Sequence, residues 1–317
     1  MVAEMGEINF SHTSVMLFEC IDALNIKKDG IYVDCTTGGG GHSLEIAKRL
    51  DGGRLICIDR DDDALSAARE RLSPYLDKIT FVKDNFSSIE KILDSLDIPY
   101  IDGALADLGV SSYQLDTAER GFSYNLDARL DMRMDKTAQK SAFDVVNTYS
   151  ERDLRRIIFD YGEDNLAPRI AAAIVEKREQ KPIETTLELS EVIKSAYPKK
   201  LLAVGHHPAK KTFQAIRIEV NGELDIIEPT IRSITKRLAR GGRIAVITFH
   251  SLEDRAVKTT FASLAQGCTC PPSFPVCVCG KKPEIKIISK KPILPSDNEI
   301  DVNRRSHSAK LRVAEKE

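Results

Sequence analysis

Long apolar runs are missing from this chain. No stretch approaches the ~20 consecutive residues that a membrane-spanning helix needs, and the first ten residues carry acids and no hydrophobic signal core. A cytoplasmic protein that does not enter a membrane is expected. Excess charge of either sign is missing too: 46 Lys and Arg stand against 48 Asp and Glu, a formal net charge of -2. That balance excludes a globally basic nucleic-acid binder, so any such surface must be local. No disulfide framework is visible either. Of the seven cysteines, Cys20, Cys35 and Cys57 are scattered through expected helices and strands, which suits a reducing compartment. What remains is an ordinary composition of 317 residues with 42% hydrophobic content, enough for one large domain or a domain carrying an insertion.

The chain is organised around Ile31-Tyr-Val-Asp-Cys-Thr-Thr-Gly-Gly-Gly-Gly-His-Ser43. The apolar run ending in Asp34 predicts a buried parallel strand, Gly38 to Gly41 break it, and Ser43 to Leu50 resumes at helical spacing. Strand, glycine turn and helix leave bare backbone N–H groups where a ligand's polar end can approach without meeting a Cβ. The next expected strand, Arg54 to Arg60, carries Asp59 near its end. Asp59 follows the glycines by about 20 residues, the spacing at which a carboxylate takes the ribose hydroxyls of an adenosine cofactor. A dinucleotide fingerprint, G-x-G-x-x-G, is absent because the sixth position from Gly38 is Ser43. S-adenosylmethionine, with an adenosine and an amino-acid end but no phosphate, suits this variant better. The alternative is a structural turn with a solvated Asp59.

Phe10 to Leu24 reads as a helix capped by Thr13 or Ser14, with Val15, Leu17, Phe18, Ile21 and Leu24 on its apolar side. His12, just before it, is either near the cofactor or a cap-region residue without a chemical duty. Asp61 to Leu72 predicts a second helix with Ala64, Leu65, Ala68 and Leu72 inward, and Lys78 to Asp84 a third strand. Phe86, behind that strand, is placed to pack on adenine or in the core. Ile101 to Asp107 is a fourth strand, and Asp107-Leu-Gly-Val-Ser-Ser-Tyr-Gln114 sets an acid, two hydroxyls and an amide where a parallel sheet opens its ligand crevice. Methyl transfer requires chiefly that an acceptor be held in line and water excluded. An exocyclic base amine has its lone pair delocalised into the ring, and a carboxylate accepting its protons favours the nucleophilic, pyramidal nitrogen. Asp107 is the catalytic candidate; alternatively it ties down the Gly109 to Ser112 turn.

Between residues 115 and 212 the strand–helix alternation stops, and Ser150 to Tyr161, Leu166 to Glu179 and Thr186 to Tyr197 are helical by periodicity. An inserted helical, substrate-recognising subdomain over the crevice is expected there, with 1–114 and 213–317 forming the cofactor-binding domain. Arg120, Arg129, Arg133, Arg152, Arg155 and Arg156 are interleaved with acids and read largely as solvated surface. Lys199, Lys200, His206, His207, Lys210 and Lys211 form a denser basic run, suited to phosphate contacts or to an exposed linker. Helices at Phe213 to Val220 and Leu224 to Leu238 lead to a fifth strand, Gly241 to His250, where His250 and Ser251 either shape a base pocket or satisfy backbone groups.

Cys268-Thr-Cys270 and Cys277-Val-Cys279 place four thiols within 12 residues, which suggests zinc more readily than disulfides, although the usual spacing is C-x-x-C. No metal ligand is assigned on that ground. From Lys281 onward ten Lys and Arg face six Asp and Glu. Expected closing strands at Ile285 to Ile288 and Ala309 to Val313 flank a basic loop whose Arg304 and Arg305 suit single-stranded RNA, or serve solubility alone.

Eight motifs carry a resemblance: Asp34-x-x-x-Gly-Gly-Gly-Gly-His-Ser43, Ile58-Asp-Arg-Asp61, Asp107-Leu-Gly-Val-Ser-Ser112, Glu119-Arg-Gly-Phe-Ser123, Leu130-Asp-Met-Arg-Met-Asp135, the run from Lys211-Thr-Phe-Gln to Asn-Gly-Glu223, Ile247-Thr-Phe-His-Ser-Leu-Glu-Asp-Arg255 and Asn303-Arg-Arg-Ser306. Together, from about His12 to Lys316, the chain resembles the bacterial 16S ribosomal RNA cytosine-N4 methyltransferases, the RsmH (MraW) family. The resemblance implies a class I SAM-dependent methyltransferase fold, a Rossmann-like doubly wound α/β sheet with an inserted helical subdomain. It implies methyl transfer from S-adenosyl-L-methionine to the N4 amine of one cytidine in the decoding region of 16S ribosomal RNA, with the small ribosomal subunit as partner and no membrane. Cofactor contacts implied by it are Gly40, Gly41, His42, Asp59, Phe86, Asp107 and Gln114. The segment after the fourth strand lacks the two prolines of DNA amino-methyltransferases. A DNA amino-methyltransferase and a nucleotide- or RNA-binding module without turnover are the alternative readings.

Overall fold

The computed structural model describes residues 14–202, 207–271, 276 and 278–317, with the side chain of Ser112 excepted. The chain divides into two compact units, one comprising residues up to Gly109 together with Asp225–Glu317, the other Val110–Leu224. His12, Thr13, His206 and Cys277 lie outside the described residues.

The first unit is built on seven strands: β1 (Ile31–Asp34), β2 (Arg54–Asp59), β3 (Ile79–Lys83), β4 (Ile101–Asp107), β5 (Leu238–Thr248), β6 (Ile285–Ile287) and β7 (Lys310–Lys316). Their order is β3-β2-β1-β4-β5-β7-β6. The first five are mutually parallel, and β7 runs antiparallel to β5 and to β6. This is a doubly wound α/β sheet whose last two strands close it in antiparallel fashion. The strands read as continuous apolar runs because both faces are covered. Tyr32, Leu55, Cys57, Leu105, Ala245 and Ile247 belong to one hydrophobic cluster with the helices Leu17–Leu24 and Gly41–Arg49. Their strand neighbours Val33, Ile56, Ile58, Ala104, Ala106 and Val246 are equally buried and, by the alternation of a strand, face the other side. Helices Ile89–Ser95, Ile227–Arg237 and Ser251–Ala265 form a second packed group.

The helix Asp62–Arg71 has Asp61 as its cap, accepting from Asp63 N, and buries Ala64, Leu65 and Ala68 as the spacing predicts. The opening helix departs from expectation. It begins at Leu17, after a left-handed Met16 (φ 51°), with no side-chain cap at Ser14. The buried stripe is Met16, Cys20, Ile21 and Leu24, whereas Phe18 is 65% exposed. The backbone N–H of Met16 donates to Glu299 Oε1 at 2.7 Å, so a contact 283 residues away fixes this start.

In the second unit, helices Ala142–Thr148, Glu151–Asp160, Ala167–Gln180, Thr186–Ala196 and Ala209–Asn221 enclose a core of Ile157, Ile170, Ile174, Leu189, Ile193 and Phe213, among others. The helix Ala209–Asn221, most of which the sequence assigned to the outer segment from 213 onward, lies in this unit against the helices at 142–148 and 151–160. The run Lys211 to Glu223 is structural here. Asn221 donates from Nδ2 to Met132 O (2.8 Å) and accepts from Met134 N (2.9 Å), and Arg217 grips Glu223 with two bonds of 2.9 and 2.8 Å. Two arginines read as solvated surface are anchors instead. Arg120 is buried and donates to the Arg133 and Met134 carbonyls, both at 3.0 Å. Arg133 holds Asp131 bidentately at 2.7 Å and donates to Ala138 O. Gly121 turns that loop with φ +70°, and a Cβ there would lie 2.4 Å from Arg129 O.

Candidate active site

Three adjacent strands of the sheet, β2, β1 and β4, each end in an aspartate: Asp59, Asp34 and Asp107. The carboxyl edge of a parallel sheet is where this fold binds ligands, and here it concentrates negative charge.

Asp34 is fully buried and serves the turn. It accepts from Ser43 Oγ at 2.5 Å and from Thr36 N at 3.2 Å, so the strand end and the helix Gly41–Arg49 are locked across the glycines. Burial raises its carboxyl to about 6. The sequence showed Asp34 only as a strand terminus; its spacing to Ser43 was the available signal. The glycine turn itself is left-handed at Gly38 (φ +51°) and Gly40 (φ +78°), which other residues adopt only with strain. A Cβ on Gly40 would approach Ala68 Cα to 3.2 Å, and one on Gly41 would meet the Ser14 hydroxyl.

Asp59 is bound to this turn. Its Oδ2 accepts from Gly38 N at 2.8 Å and its Oδ1 from Asp61 N at 2.9 Å. Each oxygen keeps a further lone pair, and the residue is partly open to solvent, so the carboxylate can also accept from vicinal hydroxyls. Burial raises its pKa above the usual carboxylate value, opposed by those two backbone bonds. The Asp59 carbonyl accepts from Asp84 N at 3.1 Å. That bond fixes the end of β3 two residues before Phe86, which is half-buried and opens the short turn Phe86–Ser88 behind an Asn85 cap.

His42 lies in the first turn of the helix Gly41–Arg49, buried, with Nε2 3.0 Å from Val15 O. A carbonyl can only accept, so Nε2 carries the ring proton. Burial lowers the imidazole to about 4, and the ring is neutral at physiological pH. Its Nδ1, 3.9 Å from Asp107 Oδ2, therefore presents a lone pair rather than a positive charge.

His42 thus gives Asp107 no positive charge. Its backbone N–H donates to Thr36 Oγ1 at 2.6 Å, which pins the strand end beside the glycine turn. A quarter of its side-chain surface is open, yet Oδ1 is out of solvent and has no hydrogen-bond partner among the described residues. Burial, with the Asp34 and Glu253 carboxylates nearby, pushes its pKa well above the ordinary range. A buried acceptor left unpaired is costly in a folded protein; at the ligand edge of a sheet it marks a place for a donor or a cation.

Gln114 belongs to the second unit, where Ser111 N donates to its Oε1 and its own N–H donates to Ser111 Oγ, both at 3.2 Å, in a capping box. His250 caps the helix Ser251–Ala265. Its Nδ1 accepts from Glu253 N at 3.4 Å, and Glu253 Oε2 accepts from Phe249 N (2.7 Å) and His250 N (3.2 Å). At this position His250 satisfies a backbone N–H. Glu253, three residues on, was missed, although histidine followed by glutamate at that interval has capping-box spacing.

The chain matches the model of the MraW methylase family over residues 9–317. It is 60% identical over 310 residues to a protein of Clostridioides difficile (strain 630) named ribosomal RNA small subunit methyltransferase H, covering 98% of this chain and 100% of that one. A protein of the same name from Lachnospira eligens is 58% identical over 314 residues, with 98% and 100% covered. Coverage of both chains from end to end, on a sheet whose glycine turn and strand-end aspartates are those the motifs contain, leaves one conclusion: the chain belongs to the MraW methylase family.

Proposed function

We propose that this protein methylates the N4 amine of one cytidine in the decoding region of 16S ribosomal RNA, in the small subunit and in the cytoplasm. The observation that carries the chemistry is the buried, unpartnered Oδ1 of Asp107 at the carboxyl edge of β4. Relatives with end-to-end similarity named for ribosomal RNA methylation support the substrate. Among the described residues no helix is long and apolar enough to cross a membrane.

S-adenosylmethionine supplies a methyl group already activated on a sulfonium. The residues present fit it: left-handed glycines allow close backbone approach, Asp59 can take ribose hydroxyls, and an edge carrying three raised carboxylates favours a cation. In this reading Gly40 and Gly41 keep the approach open, His42 buttresses the turn as a neutral ring, and Phe86 packs beside the base. Asp107 accepts the protons of the target amine, which turns the nitrogen lone pair out of conjugation and gives the released proton a destination. A base inside a structured RNA must first be turned out of its stack. Exposed Lys199, Lys200 and Lys210 of the second unit, and exposed Arg304 of the first, are suited to phosphate contacts. Lys211 is already engaged with Glu163 O at 2.8 Å, and His207 stacks on Tyr124 at 4.4 Å.

The raised carboxylates give cofactor binding a pH dependence. Burial raises the Asp34 carboxyl to about 6 in the fold, against an ordinary 3.8. Between those values the folded chain holds a proton the unfolded chain has lost, so this group's contribution to stability falls as pH rises. A cationic ligand favours ionised carboxylates and displaces such protons. Affinity for S-adenosylmethionine is therefore expected to weaken as pH drops through about 6, read by titration calorimetry; a flat response between about pH 5 and 7 would contradict it.

The substrate is tested by mapping methylated cytidines in small-subunit RNA from cells with and without the protein. One decoding-region N4-methyl signal that vanishes with the gene is the expected result. Loss of label from DNA with unchanged ribosomal RNA would overturn the assignment.

A further inference from the structure

We propose that the loop between the helix Ser251–Ala265 and β6 is a structural zinc site, with Cys268, Cys270 and Cys279 as protein ligands. The three sulfurs of Cys268, Cys270 and Cys279 all lie within 4.8 Å of one another. Cys279 Sγ is 3.7 Å from Cys268 Sγ. A disulfide would bring them to about 2 Å, whereas two thiolates bound tetrahedrally at Zn–S ~2.3 Å stand about 3.8 Å apart. The spacing is that of ligands around a single ion.

Backbone N–H groups already point at the sulfurs, Cys270 N to Cys268 Sγ and Val278 N to Cys270 Sγ, both at 3.4 Å. Such bonds stabilise thiolate charge and orient the ligands of structural metal sites. The loop also needs something besides apolar burial. Its two ends meet through Glu284 N and Leu264 O at 2.9 Å, and Gly267 lies against Pro283. Beyond that base, Val276 and Val278 are about 70% exposed, so among the described residues no hydrophobic core holds the segment that carries the cysteines. A cross-linking ion supplies the order that the side chains there do not. Each thiol that binds gives its proton to solvent, and zinc undergoes no redox change. Cys268, Cys270 and Cys279, unused by the methyl-transfer site, acquire a role in fixing the connection into β6 and the antiparallel strand pair that closes the sheet.

The test is elemental analysis of the full-length protein purified without chelator. About one zinc per chain is expected, released stoichiometrically when the thiols are titrated with p-hydroxymercuribenzoate, and cobalt-substituted protein should show the visible spectrum of tetrahedral thiolate coordination. The Cys268→Ser/Cys279→Ser variant should retain under about 0.1 zinc per chain while keeping its far-ultraviolet circular dichroism. Because the titration and the cobalt spectrum use the unmodified chain, the proposal is decided even if the variant does not fold. Metal-free protein with every thiol in this loop reactive, a disulfide found by mass spectrometry, or iron in place of zinc would each overturn it.

Discussion

Replacing Asp107 with alanine is expected to lower methyl transfer at saturating cofactor by about 10³-fold, within the range for loss of a positioned proton acceptor. Cofactor affinity should fall much less, by about tenfold, the scale of one charge-assisted contact. Three features of the residue set this outcome. Its Oδ1 is buried without a partner among the described residues, the imidazole of His42 3.9 Å away is neutral, and burial, with the Asp34 and Glu253 carboxylates, holds its pKa high. An acceptor kept in this condition is stabilised only when a substrate donor arrives, which is where differential binding of a transition state comes from. The same features predict a gain elsewhere. Asp107→Asn, which removes the charge and keeps the shape, should stabilise the ligand-free protein by about 1–2 kcal/mol, the usual trade between stability and a strained site. Single-turnover kinetics, calorimetry and thermal denaturation separate these effects. Equal loss of binding and turnover would make Asp107 mainly a cofactor ligand.

Asp59→Ala should behave in the opposite way, weakening S-adenosylmethionine by about 10²–10³-fold, or roughly 3–4 kcal/mol, with turnover at saturation nearly preserved. The carboxylate anchors the turn through Gly38 N and Asp61 N at 2.8 and 2.9 Å. Removing it leaves both N–H groups unpaired as well as the ribose. Asp59→Asn keeps an acceptor for one N–H and should lose less. A KM for cofactor that does not move in either variant would refute the ribose assignment.

The sheet and its edge were legible in the sequence for a simple reason. Parallel strands buried on both faces read as unbroken apolar runs; those ending in Asp34 and Asp107 stop at their acids in the structure as in the pattern, and β2 stops at Asp59, one residue short of the expected Arg60. The helix Asp62–Arg71 was legible through its Asp61 cap and its inward stripe. What escaped depends on distant contacts. Phe18 looks apolar enough for the core, but Met16, tied to Glu299, sets the helix so that Phe18 faces out. Arg120 sits among acids in sequence and looks solvated; its partners are carbonyls 13 and 14 residues on, which no charge pattern reveals. The neutral state of His42 was equally hidden, since it follows from burial and from a carbonyl 27 residues earlier. The short helices Ala142–Thr148 and Ser112–Asp116 are too brief to impose a clear period.

The central claim is that a bare-backbone turn and the aspartate closing β2 hold an adenosine whose reactive end faces the tip of β4. A crystal structure of the protein with S-adenosylhomocysteine tests it most directly. The account predicts ribose hydroxyls on Asp59, the amino-acid end along Gly38 to Gly41, and the sulfur turned towards Asp107. Density for the ligand at any other edge of the sheet, or hydroxyls paired with groups other than Asp59, would contradict it.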